Sequence, residues 1–254
     1  MSLIDAIIIG LVQGITEFLP ISSSGHLVIF QNLLNINLPG NLIEVAAHLG
    51  TLLSIILIYW KEILNLIINI RLENTRKYIL FLIIGTLPSV FFVLSAKSFI
   101  LEMFESIKSV SLALIITGLV LLLSNLASKR NENINLKKGL FIGLAQACAI
   151  IPGISRSGMT ISAALISGVS NKEAAKFSFL LAIPAILGAI IVTALDIRYE
   201  FASTIWLPIV ITSATAFISG YYALKILIKL LESGKFYYFA YYCLLLGLIT
   251  LIIT

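Results

Sequence analysis

The sequence predicts an all-α integral membrane protein: an inverted repeat of two units, with six transmembrane helices plus two re-entrant helix-loop-helix pairs. Three observations predict it. First, 59% of the 254 residues are hydrophobic and 11% are charged. Soluble domains run about 45–50% apolar and about 25% charged, so these charges are too few for a soluble surface, a disordered chain or a fibre. Second, the apolar residues gather in runs near the roughly 20 residues a helix needs to cross a bilayer. No strand-like alternation over about 10 residues is present, which argues against a membrane barrel. Third, two of the apolar runs are interrupted by similar polar clusters.

The elements follow in order. Residues 3–34 form the first broken segment, followed by spans at 44–60, 78–96 and 109–127. The polar stretch Ser128–Lys138 separates this first repeat, residues 1–127, from a second at 139–254. The second repeat opens with a broken segment at 139–168 and continues with spans at 177–195, 204–228 and 237–254. All of it, residues 1–254, reads as one membrane domain. The breaks follow from Pro20 and Pro152, which lack an N–H and clash with the preceding turn. Irregular backbone at membrane depth survives only inside protein or along a wet cavity, so both segments are expected to be re-entrant. They also match each other. Shifted by 133 residues, Gly10-Leu11-x-Gln13 falls on Gly143-Leu144-x-Gln146, and Ile21-Ser22-x-Ser24-Gly25 on Ile154-Ser155-x-Ser157-Gly158.

Basic residues set the orientation. With the second broken segment returning to its own side, thirteen of the 17 Lys and Arg share one face, among them Lys61, Arg71, Lys137, Lys172 and Lys229. Only Lys97, Lys108 and Arg198 fall opposite, and Arg156 lies within a broken segment. The positive-inside rule makes the crowded face cytoplasmic. The first broken segment then enters from outside and the second from inside, which is an inverted repeat. Cytoplasmic loops therefore account for the net charge of +5 without nucleic acid. Cys148 and Cys243 read as buried free thiols. Asp5 in place of a basic run argues against a cleavable signal peptide. Tyr237, Tyr238, Tyr241, Tyr242, Trp60 and Trp206 read as interfacial aromatics.

Ionisable groups at membrane depth are costly and mark function by default. Glu17, His26 and Arg156 lie in the two broken segments. If the loops meet, these three converge with hydroxyls of Ser22, Ser23, Ser24, Ser155, Ser157 and Thr160. Arg156 presents planar donors suited to phosphate oxygens. Gly153 and Gly158 let the backbone bend, and a helix beginning after Gly158 would add its positive end. Glu17 would repel a phosphate unless a cation bridges them. Gln13 lies one helical turn before Glu17, and such an oxygen pair suits Mg²⁺ or Ca²⁺. His26 is suited to attack phosphorus or to serve as acid or base for a serine. Taken singly, each residue has a bland role: helix packing for the serines, an ion pair for Glu17 and Arg156. Their joint occurrence in duplicated broken segments favours function. His48, in a small-residue stretch, reads as packing, and Glu44 as sitting at the outer interface.

The stretch from Gln13 to His26, Gln-Gly-Ile-Thr-Glu-Phe-Leu-Pro-Ile-Ser-Ser-Ser-Gly-His, resembles the first signature of the undecaprenyl-diphosphate phosphatases, the bacitracin-resistance family. Pro152–Thr160 resembles the second signature, and Glu173–Pro184 is also similar to that family. The resemblance implies a bacterial plasma-membrane enzyme with six spans and two re-entrant pairs. It implies hydrolysis of the C55 isoprenyl diphosphate to the monophosphate carrier of peptidoglycan synthesis. Bacitracin sequesters the diphosphate, so overproduction gives resistance. It further implies an outward-facing active site, a divalent cation, and essential roles for Glu17, Ser23, His26 and Arg156. The family's first motif opens with Glu or Gln, and here Gln13 leaves the metal to lean more on Glu17.

The expected partners are the isoprenyl diphosphate and membrane lipids, with a homodimer left open and no nucleic acid. In the expected mechanism His26 attacks the terminal phosphorus or activates Ser23 to do so. The first is preferred, because a serine would need a base and no better one is visible. The rival class is a transporter of lipid phosphate or another anion, since broken helices in inverted repeats are also transporter architecture. A purely structural membrane protein and a phosphatase facing the cytoplasm are two further rivals.

Overall fold

In the computed structural model, which describes residues 2–34, 42–127, 131–196 and 206–253, the chain is built from helices. Among the described residues the one departure toward β structure is an isolated bridge between Glu132 and Val169. Helix α1 (Leu3–Phe18) starts on a capping box in which Ser2 Oγ accepts from the Asp5 N–H and Asp5 Oδ2 accepts from the Ser2 N–H. After α2 (Ser23–Leu34) come α3 (Leu42–Ile58), α4 (Trp60–Ile68), α5 (Glu73–Ser95), α6 (Lys97–Glu105) and α7 (Ile107–Asn125). The second half runs α8 (Leu136–Cys148), α9 (Arg156–Ile166), α10 (Asn171–Asp196), α11 (Trp206–Glu232) and α12 (Tyr238–Ile253). Asn135 caps α8 by accepting from the Lys138 N–H.

Both predicted breaks are present, between α1 and α2 and between α8 and α9. Four helices are long and apolar enough to cross a membrane: α5, α7, α10 over Asn171–Val192, and α11. Helices α3 and α4 make a fifth candidate, bent by 70°. The sixth expected span, α12, is apolar but 16 residues long. Helices α4 and α6 occupy segments where the sequence pattern places loops. In α4, Ile63 and Leu66 rest on the core while Ile67 and Ile68 face outward. That division suits a short helix lying along an interface. Ser128, Lys129 and Arg130 of the predicted boundary, Arg198 of the charge count, and residues 204–205 of one predicted span lie outside the described residues.

The core forms where α1, α3, α9, α10 and α11 meet, around Phe18, Ile55, Ile161, Phe177, Phe179 and Leu224. Phe18 meets Phe179 edge to face at 5.8 Å. Helix α1 packs chiefly against α11, and α8 chiefly against α5. Hydroxyls stitch these contacts: Thr212 donates to the Ala6 carbonyl, Ser219 to Gly10 and Ser54 to Phe217. Between apolar helices such bonds and close approach replace the hydrophobic drive that lipid removes.

Close approach of backbones is marked at Gly143, where a Cβ would overlap the Gly85 carbonyl of α5. Overpacking a well-filled contact costs about 1–3 kcal/mol. Gly143→Ala is therefore expected to lower the unfolding temperature in detergent. Leu140→Ala, on an exposed position one turn earlier, should leave it unchanged. Equal melting of Gly143→Ala and wild type would show that α5 and α8 are not held at backbone contact.

Candidate active site

The two breaks use equivalent residues for the same task. Ser22 Oγ accepts from the Gly25 N–H at 3.2 Å and opens α2. Ser155 Oγ accepts from the Gly158 N–H at 3.1 Å and opens α9. These serines fall on each other in the 133-residue sequence match, and each satisfies an amide that the helix start leaves unpaired. Backbone reversal differs. In the second loop Gly153 takes φ +94°, where a side chain would press on the Val110 carbonyl. In the first loop Ser22 itself is left-handed at φ +68°, a strained state for a non-glycine residue. Helix α9 begins at Arg156, so Gly158 lies in its first turn and does not precede it. The expectation that Gly158 bends the loop is therefore corrected. It stays small because Ser155 and Pro20 crowd it.

The loops touch. A Cβ on Gly25 would stand 3.2 Å from the Gly153 Cα, and Ser157 Oγ donates to the Leu19 carbonyl at 3.3 Å. Across this junction Arg156 Nη2 bonds Glu17 Oε1 at 2.6 Å. Ser23 Oγ donates to Glu17 Oε2 at 2.7 Å, and Gln13 Nε2 donates to the same oxygen at 3.0 Å. Ser23 and Arg156 are the first residues of α2 and α9 and stand 133 positions apart, the offset at which the two loop sequences match. The two loops thus converge on one carboxylate, each through a different side chain.

Glu17 is buried, and the Arg156 side chain is 14% exposed. Two buried polar atoms here have no partner among the described residues: Arg156 Nη1, a donor, and Gln13 Oε1, an acceptor. Buried polar atoms rarely stay unpaired without a reason. An anion would satisfy the first and a cation the second.

His26, in the first turn of α2, is buried with both ring nitrogens engaged. Nδ1 lies 2.7 Å from the Ser22 carbonyl, so Nδ1 carries the proton in the neutral ring. Nε2 lies 2.7 Å from the Tyr242 hydroxyl, and the two rings are stacked with planes 8° apart. Neither nitrogen bonds Ser23, whose proton is held by Glu17. Of the hydroxyls expected to face a ligand, Ser155 is spent on its cap, Ser157 on Leu19, and Thr160 on the Arg156 carbonyl and on Ser178 of α10. Ser22 and Ser24 bond each other at 3.3 Å.

Two residues depart from their sequence-based roles. Tyr242 reaches inward to His26. The bond spans 216 positions, so no local pattern signals it. His48 Nδ1 lies 2.8 Å from the Glu44 carbonyl. Glu44 is partly buried in the first turn of α3. Cys243 is buried and donates to the Pro20 carbonyl, but Cys148 is exposed at the end of α8, correcting the expectation that both thiols are buried. No group of three or more His, Cys, Asp or Glu side chains that could hold a metal ion occurs among the described residues.

Fold and site together define a helical membrane protein whose charged centre forms where two broken helices meet. The sequence profile of the family Bacitracin resistance protein BacA matches residues 6–249, and the chain belongs to that family. It is accordingly a multi-pass membrane protein. A protein of Halothermothrix orenii named undecaprenyl-diphosphatase is 39% identical over 100% of this chain and 98% of its own length. One of the same name from Carboxydothermus hydrogenoformans is also 39% identical, with the same coverage. Undecaprenyl-diphosphatase 3 of Bacillus anthracis is 37% identical over 97% of this chain and 96% of its own.

Proposed function

We propose that this chain is an undecaprenyl-diphosphatase, a hydrolase that converts undecaprenyl diphosphate and water to undecaprenyl phosphate and inorganic phosphate. Membership of the bacitracin-resistance family and the names of its relatives support this reading. The observation that carries it is the buried cluster on Glu17, where Arg156 keeps one unpaired donor at a junction of two helix N-termini. That junction suits a diphosphate. The apolar flanks of α2 and α12 leave the isoprenyl tail among hydrocarbon.

In the mechanism, Arg156 binds and holds the charge of the terminal phosphate. His26 attacks phosphorus through Nε2, the nitrogen whose lone pair its Nδ1–H tautomer leaves available. The N–P bond forms as the bridging P–O bond breaks, and the lipid phosphate leaves with the electron pair. Nδ1–H stays on the Ser22 carbonyl throughout. Water then attacks the phosphoryl group, its protons leave with the inorganic phosphate, and the electron pair returns to Nε2. A second reading is favoured by the 2.7 Å bond from Ser23 to Glu17, which provides a serine nucleophile with an acceptor for its proton other than His26. Trapped intermediates separate the two: a phosphohistidine is lost in acid, a phosphoserine in alkali.

A divalent cation, Mg²⁺ or Ca²⁺, fits Gln13 Oε1 and Glu17, a hard oxygen pair with one acceptor unpaired. When bound it would supply positive charge against the diphosphate. The reading extends to six spans, two re-entrant pairs, an inverted repeat (1–127 and 139–254) and an outward-facing site in the bacterial plasma membrane. The crossed packing of α1 on α11 and of α8 on α5 supports the repeat, and the one-sided distribution of basic residues supports the orientation.

Purified protein in detergent is expected to release phosphate from undecaprenyl diphosphate. Release should stop with a chelator and return with Mg²⁺ or Ca²⁺. Release indifferent to chelator would remove the cation from the site. No release by folded protein would overturn the hydrolase and favour a lipid or anion transporter on the same scaffold.

A further inference from the structure

We infer that Tyr242 is a further catalytic residue, whose phenol holds His26 in the resting site and then donates a hydrogen bond to the phosphoryl group that His26 receives. The inference rests on His26 reacting through Nε2, as proposed above. Three observations carry it. The Ser22 carbonyl occupies Nδ1 at 2.7 Å, so any chemistry of the ring runs through Nε2. The Tyr242 hydroxyl stands 2.7 Å from that nitrogen and engages the lone pair that bonding to phosphorus requires. The tyrosine ring lies parallel to the imidazole and the residue is 43% exposed, which leaves the side chain room to move while α12 is anchored through buried Cys243.

The consequence is geometric. In the resting site the Tyr242 O–H donates to the Nε2 lone pair, because Nδ1 carries the ring proton. When that lone pair bonds phosphorus, the hydroxyl loses its acceptor and must move aside. The nearest acceptors are then the oxygens of the phosphoryl group itself. The bond thus passes from a neutral nitrogen to a charged oxygen, which strengthens it as the reaction proceeds. Interactions that strengthen toward the transition state raise kcat and leave KM little changed. No proton is lost from Tyr242 in this exchange, and Nε2 recovers its hydroxyl partner once water has released phosphate.

The test is Tyr242→Phe, which keeps the stacked ring and removes only the hydroxyl. One hydrogen bond to a charged group corresponds to about a 10- to 100-fold effect on rate. Phosphate release from undecaprenyl diphosphate is expected to show a kcat lower by that factor, with KM within about twofold of wild type. In a His26→Gln background, Tyr242→Phe should cause no further loss. Imidazole ¹⁵N spectra of the full chain, with His48→Gln used to assign the two histidines, should show the Nε2 signal of His26 moving in Tyr242→Phe while Nδ1 stays protonated. Unchanged kcat in Tyr242→Phe, an equal loss in both backgrounds, or an unmoved Nε2 signal would each overturn the role. If His26→Gln itself turns over near wild type, the His26 reading and the Tyr242 role fall together, while phosphate release by wild type still upholds the hydrolase.

Discussion

Arg156→Ala is expected to reduce phosphate release by about a thousandfold or more, the range seen when a positioned donor to a transferring phosphoryl group is removed. Two effects combine. The site loses the guanidinium whose buried Nη1, without a partner among the described residues, is the donor proposed to meet a phosphate oxygen. It also loses the partner of Glu17, whose side chain is 7% exposed. An uncompensated buried carboxylate costs about 3–5 kcal/mol of stability, so lost activity alone would not separate catalysis from folding. Arg156→Lys does. It keeps the positive charge beside Glu17 but cannot bond the carboxylate and present a second planar donor at once. Its unfolding temperature should stay near wild type while turnover falls about 10- to 100-fold, one charge-assisted bond's worth. Turnover by Arg156→Ala within tenfold of wild type would mean that the diphosphate is held elsewhere.

The sequence shows the breaks more clearly than the spans. Pro20, Pro152 and the polar residues around them contradict an apolar run, and both loops form where that contradiction lies. Span limits are less legible. The 70° bend between Ile58 and Trp60 carries no proline or glycine, and α4 turns on a division of its faces that a hydropathy run conceals. At the site, Glu17, His26 and Arg156 stand out in the sequence because ionisable groups at membrane depth are few, and Ser23 stands out through the family resemblance alone. Their pairing does not. Sequence spacing cannot choose between His26 and Glu17 as the partner of Ser23, since both lie within one or two turns of it. The fold decides by aiming His26 toward α12. Tyr242 stays hidden for the same reason: in a tyrosine-rich segment at a helix end, the bland interfacial reading is the default. The capping task of Ser22 and Ser155 is hidden as well: each oxygen accepts the amide of a helix start that spacing alone does not locate.

Glu17→Gln is the second large effect, and its signature is an opposition between binding and turnover. Three donors converge on the Glu17 carboxylate: Gln13 Nε2, Ser23 Oγ and Arg156 Nη2. A glutamine offers one carbonyl oxygen and one NH₂, so at least one donor must lose its acceptor. Turnover is expected to fall at least about 100-fold, since a missing base or orienting carboxylate has that typical effect. Anion binding should move the other way. In the native site Glu17 competes with phosphate for Arg156 and repels it directly. Two unit charges about 4 Å apart interact by roughly 1–4 kcal/mol between water and a protein surface. Removing that repulsion should tighten inhibition by inorganic phosphate about tenfold, measured without added divalent cation. In the same variant Mg²⁺ or Ca²⁺ should no longer stimulate release, because the remaining oxygens carry no charge. Glu17→Asp supplies the control: it keeps the charge on a shorter arm, so phosphate inhibition should stay near wild type even where turnover is reduced. Weaker phosphate inhibition in Glu17→Gln, with melting unchanged, would show that Glu17 serves Arg156 only as a structural counter-ion. Tighter inhibition with lost turnover would place both charges on the path of the reacting phosphate.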